Sequence, residues 1–116
     1  MRVISGLMRG KRLKEPANYD IRPTTDKVKE SIFNIIQFDI EGRRVLDLFA
    51  GTGQLGIECL SRGAAEVTFV DQSREAIAIV KENINSCGFK ARVIQDDSIS
   101  FLNRGEKYDI ILLDPP

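Results

Sequence analysis

The residues of this chain whose types and spacing could do chemistry are aspartates at the ends of apolar runs, set beside one glycine cluster. Asp47 closes the run Val45-Leu46, and Gly51-Thr52-Gly53-Gln54-Leu55-Gly56 follows as a G-x-G-x-x-G pattern. Asp71 closes a second run, 20 residues after Gly51; Asp96-Asp97-Ser98 follows a third and Asp114-Pro115-Pro116 a fourth. Glycines between a strand and a helix let backbone approach a ligand closely. With Asp71 at that separation, the pattern also fits a dinucleotide site, where the acid receives ribose hydroxyls. Asp47 argues for another ligand. A carboxylate under the turn would repel a pyrophosphate, and its desolvation would go uncompensated. It would stabilise a cation. S-adenosylmethionine carries an ammonium and a sulfonium, so the spacing favours that cofactor over a dinucleotide. Asp71 accepts ribose hydroxyl protons in either case. Phe49 and Gln72 lie next to these groups in sequence and join Gly51, Gly53 and Gly56 in the candidate cofactor set. One of Asp96 and Asp97 is placed to accept from an adenine amino group. The reading favours Asp97 with Ser98, although Asp and Ser at this point also suit a helix cap.

The fourth aspartate carries the reaction. One proline after a strand is ordinary punctuation; Asp114-Pro115-Pro116 at the carboxyl edge of a parallel sheet lies where ligands bind. The run Ile111 to Pro116 resembles the [DN]-P-P-aromatic signature of amino-methyltransferases acting on adenine N6 or guanine N2. An exocyclic amine is a poor nucleophile because its lone pair is delocalised into the ring. The Asp114 carboxylate and the Pro115 carbonyl can hold its two N–H groups and turn the lone pair towards a methyl donor, with φ fixed by the proline ring. Asp114, Pro115 and Pro116 are therefore the catalytic candidates, and Asp114 also borders the cofactor. Positioning and electrostatics suffice for such a transfer, in keeping with a chain that has no histidine. A base within a duplex must be flipped out to reach such a site.

These groups need a scaffold, and apolar periodicity predicts one. Val3-Ile4-Ser5 and Lys11-Arg12-Leu13 flank Gly6 and Gly10 as a small hairpin, and residues 15–23 form a loop around Pro16 and Pro23. Thr24 or Thr25 caps a helix whose apolar face is Val28, Ile32, Ile35 and Ile36, widened by Phe33. Strands are predicted at 44–49, 66–71, 91–94 and 108–113. Helices are predicted at 55–62, from Ser73 to near Gly88 with Ile77, Val80 and Ile84 inward, and at 98–102. Strands that alternate with helices and read nearly all apolar mean an α/β fold with a parallel sheet covered on both faces.

The balance of 17 basic and 17 acidic residues hides an uneven distribution. Residues 1–44 carry a net +4 and residues 45–116 a net −4. The first fourteen residues hold Arg2, Arg9, Lys11, Arg12 and Lys14 and no acid. A basic arm on an acidic body suits a protein that grips phosphates with one part and a cation with the other. The same arm also reads as a solvated hairpin. Cys59 and Cys87 make neither a disulfide framework nor a metal site and read as helix-face residues in a reducing compartment. No metal is expected. No apolar run is long enough for a membrane span or a secretory signal, and a cytoplasmic location is expected.

Across its length the chain resembles the bacterial 16S ribosomal RNA guanine-N2 methyltransferase family that modifies the small ribosomal subunit. The resemblance rests on Arg2-Val3-Ile4-Ser5-Gly6 with Arg9-Gly10-Lys11-Arg12-Leu13, on Arg22 to Glu30 (RPTTDKVKE), on the glycine loop and on Asp114-Pro115-Pro116. It implies a Rossmann-like S-adenosylmethionine-dependent methyltransferase sheet with an N-terminal β-hairpin and helix, and transfer to a guanine N2 in 16S rRNA or the assembled subunit. It also implies that Thr24 and Thr25, at a helix N-terminus, lie near the cofactor, where such a terminus suits a carboxylate; the threonines equally suit simple capping. Residues 1–42 are then a basic RNA-contacting extension, with Arg22 joining the five basic residues of the arm, and 43–116 the cofactor-binding core. The family pattern continues past Pro116 with an aromatic residue and further strands. The expectation is a C-terminally truncated core with an exposed strand edge that a partner chain could shield. A DNA adenine-N6 methyltransferase and an inactive cofactor- or RNA-binding module stay open as alternatives.

Overall fold

The computed structural model describes residues 1–16 and 24–115. Most of the loop predicted at 15–23, and with it Arg22, Pro23 and also Pro116, lie outside the described residues. The elements are α1 (Asp26–Ile36), β1 (Arg44–Asp47), α2 (Gln54–Ser61), β2 (Glu66–Asp71), α3 (Arg74–Ser86), β3 (Arg92–Gln95), α4 (Ser98–Leu102) and β4 (Ile110–Leu112). The four strands form one parallel sheet in the order β3-β2-β1-β4. This is the Rossmann-like α/β architecture. The chain winds outward from β1 to β3 and then returns to the other side of β1. The strand order therefore reverses between β1 and β4, the place where open α/β sheets bind ligands. Asp47 ends β1 and Asp114 lies two residues beyond β4, so both flank that switch point.

Burial follows from the order. Val45, Leu46 and Asp47 of β1 and Val67 to Val70 of β2 are buried, as strands covered on both faces require. β3 and β4 flank them and are only partly covered, with Ile111 and the following Leu113 exposed. The expectation of full cover on every strand is corrected at these two edges. Three strand bounds also differ. β1 ends at Asp47 and not at Phe49, because the chain turns there towards the glycine loop; β4 is shorter than 108–113; and β3 starts one residue later.

The face of α1 needs a larger correction. Phe33 is buried, and Ile32 and Ile36 pack against the core, but Val28 is 48% and Ile35 80% exposed. The centre of the inward face is Lys29, fully buried and one turn from Phe33. A lysine at the middle of a core face is invisible to a count of apolar spacing.

The hairpin is present in reduced form, as an antiparallel bridge between Arg2 and Arg12. Val3 N–H donates to the Lys11 carbonyl (2.9 Å) and Gly10 N–H to that of Val3 (2.8 Å). Val3 and Leu13 enter the same buried cluster as Phe33, Ile40, Val45, Ile57 and Phe69, so the amino-terminal segment shares the core of the sheet. Cys59 and Cys87 are free thiols buried in or next to that cluster. Among the described residues no helix is long and apolar enough to cross a membrane, and no group of three or more His, Cys, Asp or Glu could hold a metal ion.

Candidate functional site at the carboxyl edge of the sheet

β1 delivers Asp47 to the interior beneath the glycine loop. The residue is 1% exposed, and its Oδ2 accepts from Gly56 N–H at 3.0 Å. Burial pushes its carboxyl up to about 7; the Gly56 N–H opposes the rise, and the nearby charges of Asp114 and Asp71 add to it. Among the described residues this buried carboxylate has one hydrogen bond, two acidic neighbours and no cation to balance it. Gly56 permits the contact from the other side. A Cβ there would stand 2.3 Å from the Phe69 ring, so only glycine lets α2 lie this close to β2.

Asp71, at the end of β2, is held by backbone on both oxygens. Gly51 N–H donates to Oδ2 (2.9 Å) and Ser73 N–H to Oδ1 (2.9 Å). Each oxygen keeps a second lone pair, and the fixed plane suits two adjacent hydroxyl donors. Gly51 and Gly53 have positive φ, 58° and 82°, which turns the loop over the ends of β1 and β2. Phe49 packs on Leu46, Leu48, Val70 and Phe101. The Gln72 side chain is exposed, and the backbone carbonyl of Gln72 accepts from Gln95 Nε2.

Thr25 is the cap of α1, accepting from Val28 N–H at 3.3 Å. Thr24 does something else: its hydroxyl donates to Asp114 Oδ2. Its carbonyl in turn accepts from Gln54 Nε2 at 2.7 Å. Three chain segments thus meet at the switch point. Pro115 follows as an exposed residue.

After β3, Asp97 caps α4 through Oδ2, which accepts from Ile99 and Ser100 N–H (3.1 Å each). The capping role left open for it is therefore present, with Ser98 as the first helical residue. Asp96 accepts from Asp97 N–H (2.8 Å) and from Arg104 (3.3 Å). Its own N–H donates to the Asp71 carbonyl (3.1 Å), which ties this acidic turn to the end of β2.

On the arm, Arg2, Arg9, Arg12 and Lys14 are exposed and Lys11 is half-buried. Lys14 pairs with Glu82 (3.0 Å); the other four have no ion pair among the described residues.

Sequence reasoning missed the polar residues that hold these parts together. Glu58, fully buried on α2, accepts from Ile4 N–H (2.7 Å) and Ser5 N–H (3.0 Å) and pairs with Lys29 (3.2 Å) and Arg62 (2.8 Å). Lys29 also donates to the Arg2 carbonyl (2.8 Å). Burial lowers the Lys29 pKa, against the pull of Glu58. Asn83 of α3 donates to the carbonyls of Thr52 (3.0 Å) and Lys14 (3.1 Å), linking the glycine loop to the arm. The one available signal was a polar residue one turn from Val80 and next to Ile84 on an inward face.

Comparison with known proteins agrees with this fold. The family model described as Conserved hypothetical protein 95 matches residues 1–116. A Bacillus subtilis (strain 168) protein named "Putative rRNA methyltransferase YlbH" is 48% identical over the whole chain. The "Ribosomal RNA small subunit methyltransferase D" of Escherichia coli (strain K12) is 38% identical, again over the whole chain. The chain spans 66% and 60% of the length of these two relatives. A solved Escherichia coli structure titled "Putative methyltransferase yhhF" superposes over the whole chain with a TM-score of 0.87 at 36% identity, and the chain covers 64% of it.

Proposed function

The chain belongs to the family described as Conserved hypothetical protein 95, and on that premise we propose that it binds S-adenosylmethionine and methylates the exocyclic N2 of a guanine in small-subunit (16S) rRNA. The observation that carries the reading is Asp47, a buried carboxylate beside Asp71 and Asp114 whose surroundings offer no positive charge among the described residues. A cationic cofactor supplies that charge and a pyrophosphate does not. The names of the relatives support the rRNA substrate.

The donor set fits S-adenosylmethionine, which when bound supplies a methyl group made electrophilic by its sulfonium. Asp47 opposes the positive charge of the ligand. Asp71 receives the ribose hydroxyls, with its plane held by Gly51 and Ser73. Phe49, Gly51, Gly53, Gly56 and Gln72 border the same ligand. Asp97 with Ser98, or Asp96, receives the adenine amino group. Thr24 and Thr25 stand where the α1 N-terminus favours a carboxylate. Asp114 and the Pro115 carbonyl hold the two N–H groups of the target amine, and Pro116 belongs to the same catalytic motif in sequence. Residues 1–42 act as the RNA-contacting part. There, Arg2, Arg9, Lys11, Arg12, Lys14 and Arg22 meet phosphates, contacts that orient the polymer without reading its bases.

The test is transfer of a tritiated methyl group to small subunits lacking the modification, set against naked rRNA and DNA. Labelling of guanine N2 in rRNA is expected, with loss of at least about a hundredfold in Asp114→Ala. Labelling of DNA adenine, or an unaffected Asp114→Ala, would contradict the reading.

A further inference from the structure

We propose that Gln54 is a positioning residue that acts through Thr24 to orient the Asp114 carboxylate; the inference rests on the amine-holding role given to Asp114 above. Gln54 occupies the first turn of α2, inside the glycine pattern, and is 2% exposed. A buried amide is a costly choice for such a place, because each of its polar atoms needs a partner. Its Nε2 has one in the Thr24 carbonyl at 2.7 Å. Its Oε1 is the one buried side-chain polar atom without a hydrogen-bond partner among the described residues. An apolar side chain of similar size would remove that penalty, so stability alone does not explain a glutamine here.

What the amide does is fix a backbone carbonyl. The Thr24 hydroxyl, on the same residue, donates to Asp114 Oδ2. A carboxylate held on one oxygen can no longer rotate freely, and Oδ1 is left to face an N–H donor. The relay crosses three segments: the entry to α1, the start of α2 and the residues after β4. It straddles the switch point between β1 and β4. The glycine loop and the amine-holding carboxylate are thereby kept in one frame, so that a ligand seated on the loop meets an acceptor already aligned. Placing a reacting group within a narrow range of angles is worth orders of magnitude in rate and little in affinity.

Gln54→Met removes both polar atoms at nearly constant volume. In the unsubstituted chain, nuclear magnetic resonance is expected to show a slowly exchanging Thr24 hydroxyl proton. In Gln54→Met that signal is lost while the amide signals of β1 and β2 stay in place. In methyl transfer, kcat is expected to fall at least about tenfold, with the RNA KM and the Kd for S-adenosylhomocysteine changed less than about threefold. Gln54→Glu gives the same reading within one protein, because a protonated carboxyl can donate to the Thr24 carbonyl and a carboxylate cannot. Its kcat relative to the unsubstituted chain is expected to rise as pH falls from about 8 to about 6. A Thr24 hydroxyl signal that survives in Gln54→Met would overturn the proposal. So would a loss of cofactor affinity as large as the loss of kcat, or a pH-independent ratio for Gln54→Glu. If the unsubstituted chain transfers no methyl group to any substrate, the functional reading fails, and the hydroxyl signal alone decides the relay.

Discussion

Burial makes the charge of Asp47 depend on pH near neutrality. Its ordinary value of 3.8 is raised to about 7 in the folded chain. The folded state therefore binds the Asp47 proton more tightly than the unfolded state does. That contribution to stability is full below about pH 4, shrinks as pH rises through about 7, and is gone above it. Urea titrations of the ligand-free chain are expected to show a falling midpoint across that window, and Asp47→Asn is expected to flatten it. Ligand binding runs the other way: an ammonium prefers the ionised acid, so affinity for S-adenosylhomocysteine is expected to rise with pH through about 7. Calorimetry at several pH values checks both signs. Among single residues, the acids at the strand ends were legible in the sequence because each follows an apolar run that must end at the sheet edge. Gln54, Lys29, Glu58 and Asn83 were not. Their partners lie 30, 29 and up to 69 positions away, and no local spacing encodes such pairs.

Glycines and polar clamps govern how the elements fit. Gly56 lets α2 and β2 touch, and a methyl group there would collide with the Phe69 ring. Gly56→Ala is expected to cost about 1–3 kcal/mol in chemical denaturation. The hairpin is fastened to α2 by Ile4 and Ser5 N–H donating to Glu58, which also pairs with Lys29 of α1 and with Arg62 at the end of α2. Removing that acid leaves Lys29 buried and unpaired, so Glu58→Ala is expected to lose about 3–5 kcal/mol of stability. An unchanged denaturation midpoint would show that the clamp is not structural. β2, α4 and the cap of α3 were read from the sequence as they stand, because their apolar runs and capping residues are local signals. The inward face of α1 was misread, since its rotation is governed by a long-range ion pair and not by the spacing of its isoleucines.

At the scale of the whole molecule, charge is unevenly divided between the amino-terminal arm and the sheet. Apart from Lys14, the basic residues of the arm have no ion-pair partner among the described residues, while the carboxyl edge of the sheet is acidic. RNA binding is expected to weaken with salt, and the slope of log K against log salt should become shallower by about 0.7 for each phosphate contact removed. Filter binding of Arg9→Ala and Arg12→Ala checks this; an unchanged slope would take the arm out of the interface. The parallel sheet was legible as an alternation of strands and helices, but its strand order, its switch point and the core shared by arm and sheet were not, because strand pairing and the folding back of Val3 and Leu13 join residues far apart along the chain. The central claim is that the carboxyl edge is built for a cation next to a nucleoside. The most direct test is titration calorimetry of this chain with S-adenosylhomocysteine and with NAD. Binding of S-adenosylhomocysteine is expected, weakened at least about tenfold in Asp47→Asn, with no measurable binding of NAD. Tighter binding of NAD, or an Asp47→Asn variant with unchanged affinity for S-adenosylhomocysteine, would contradict that claim.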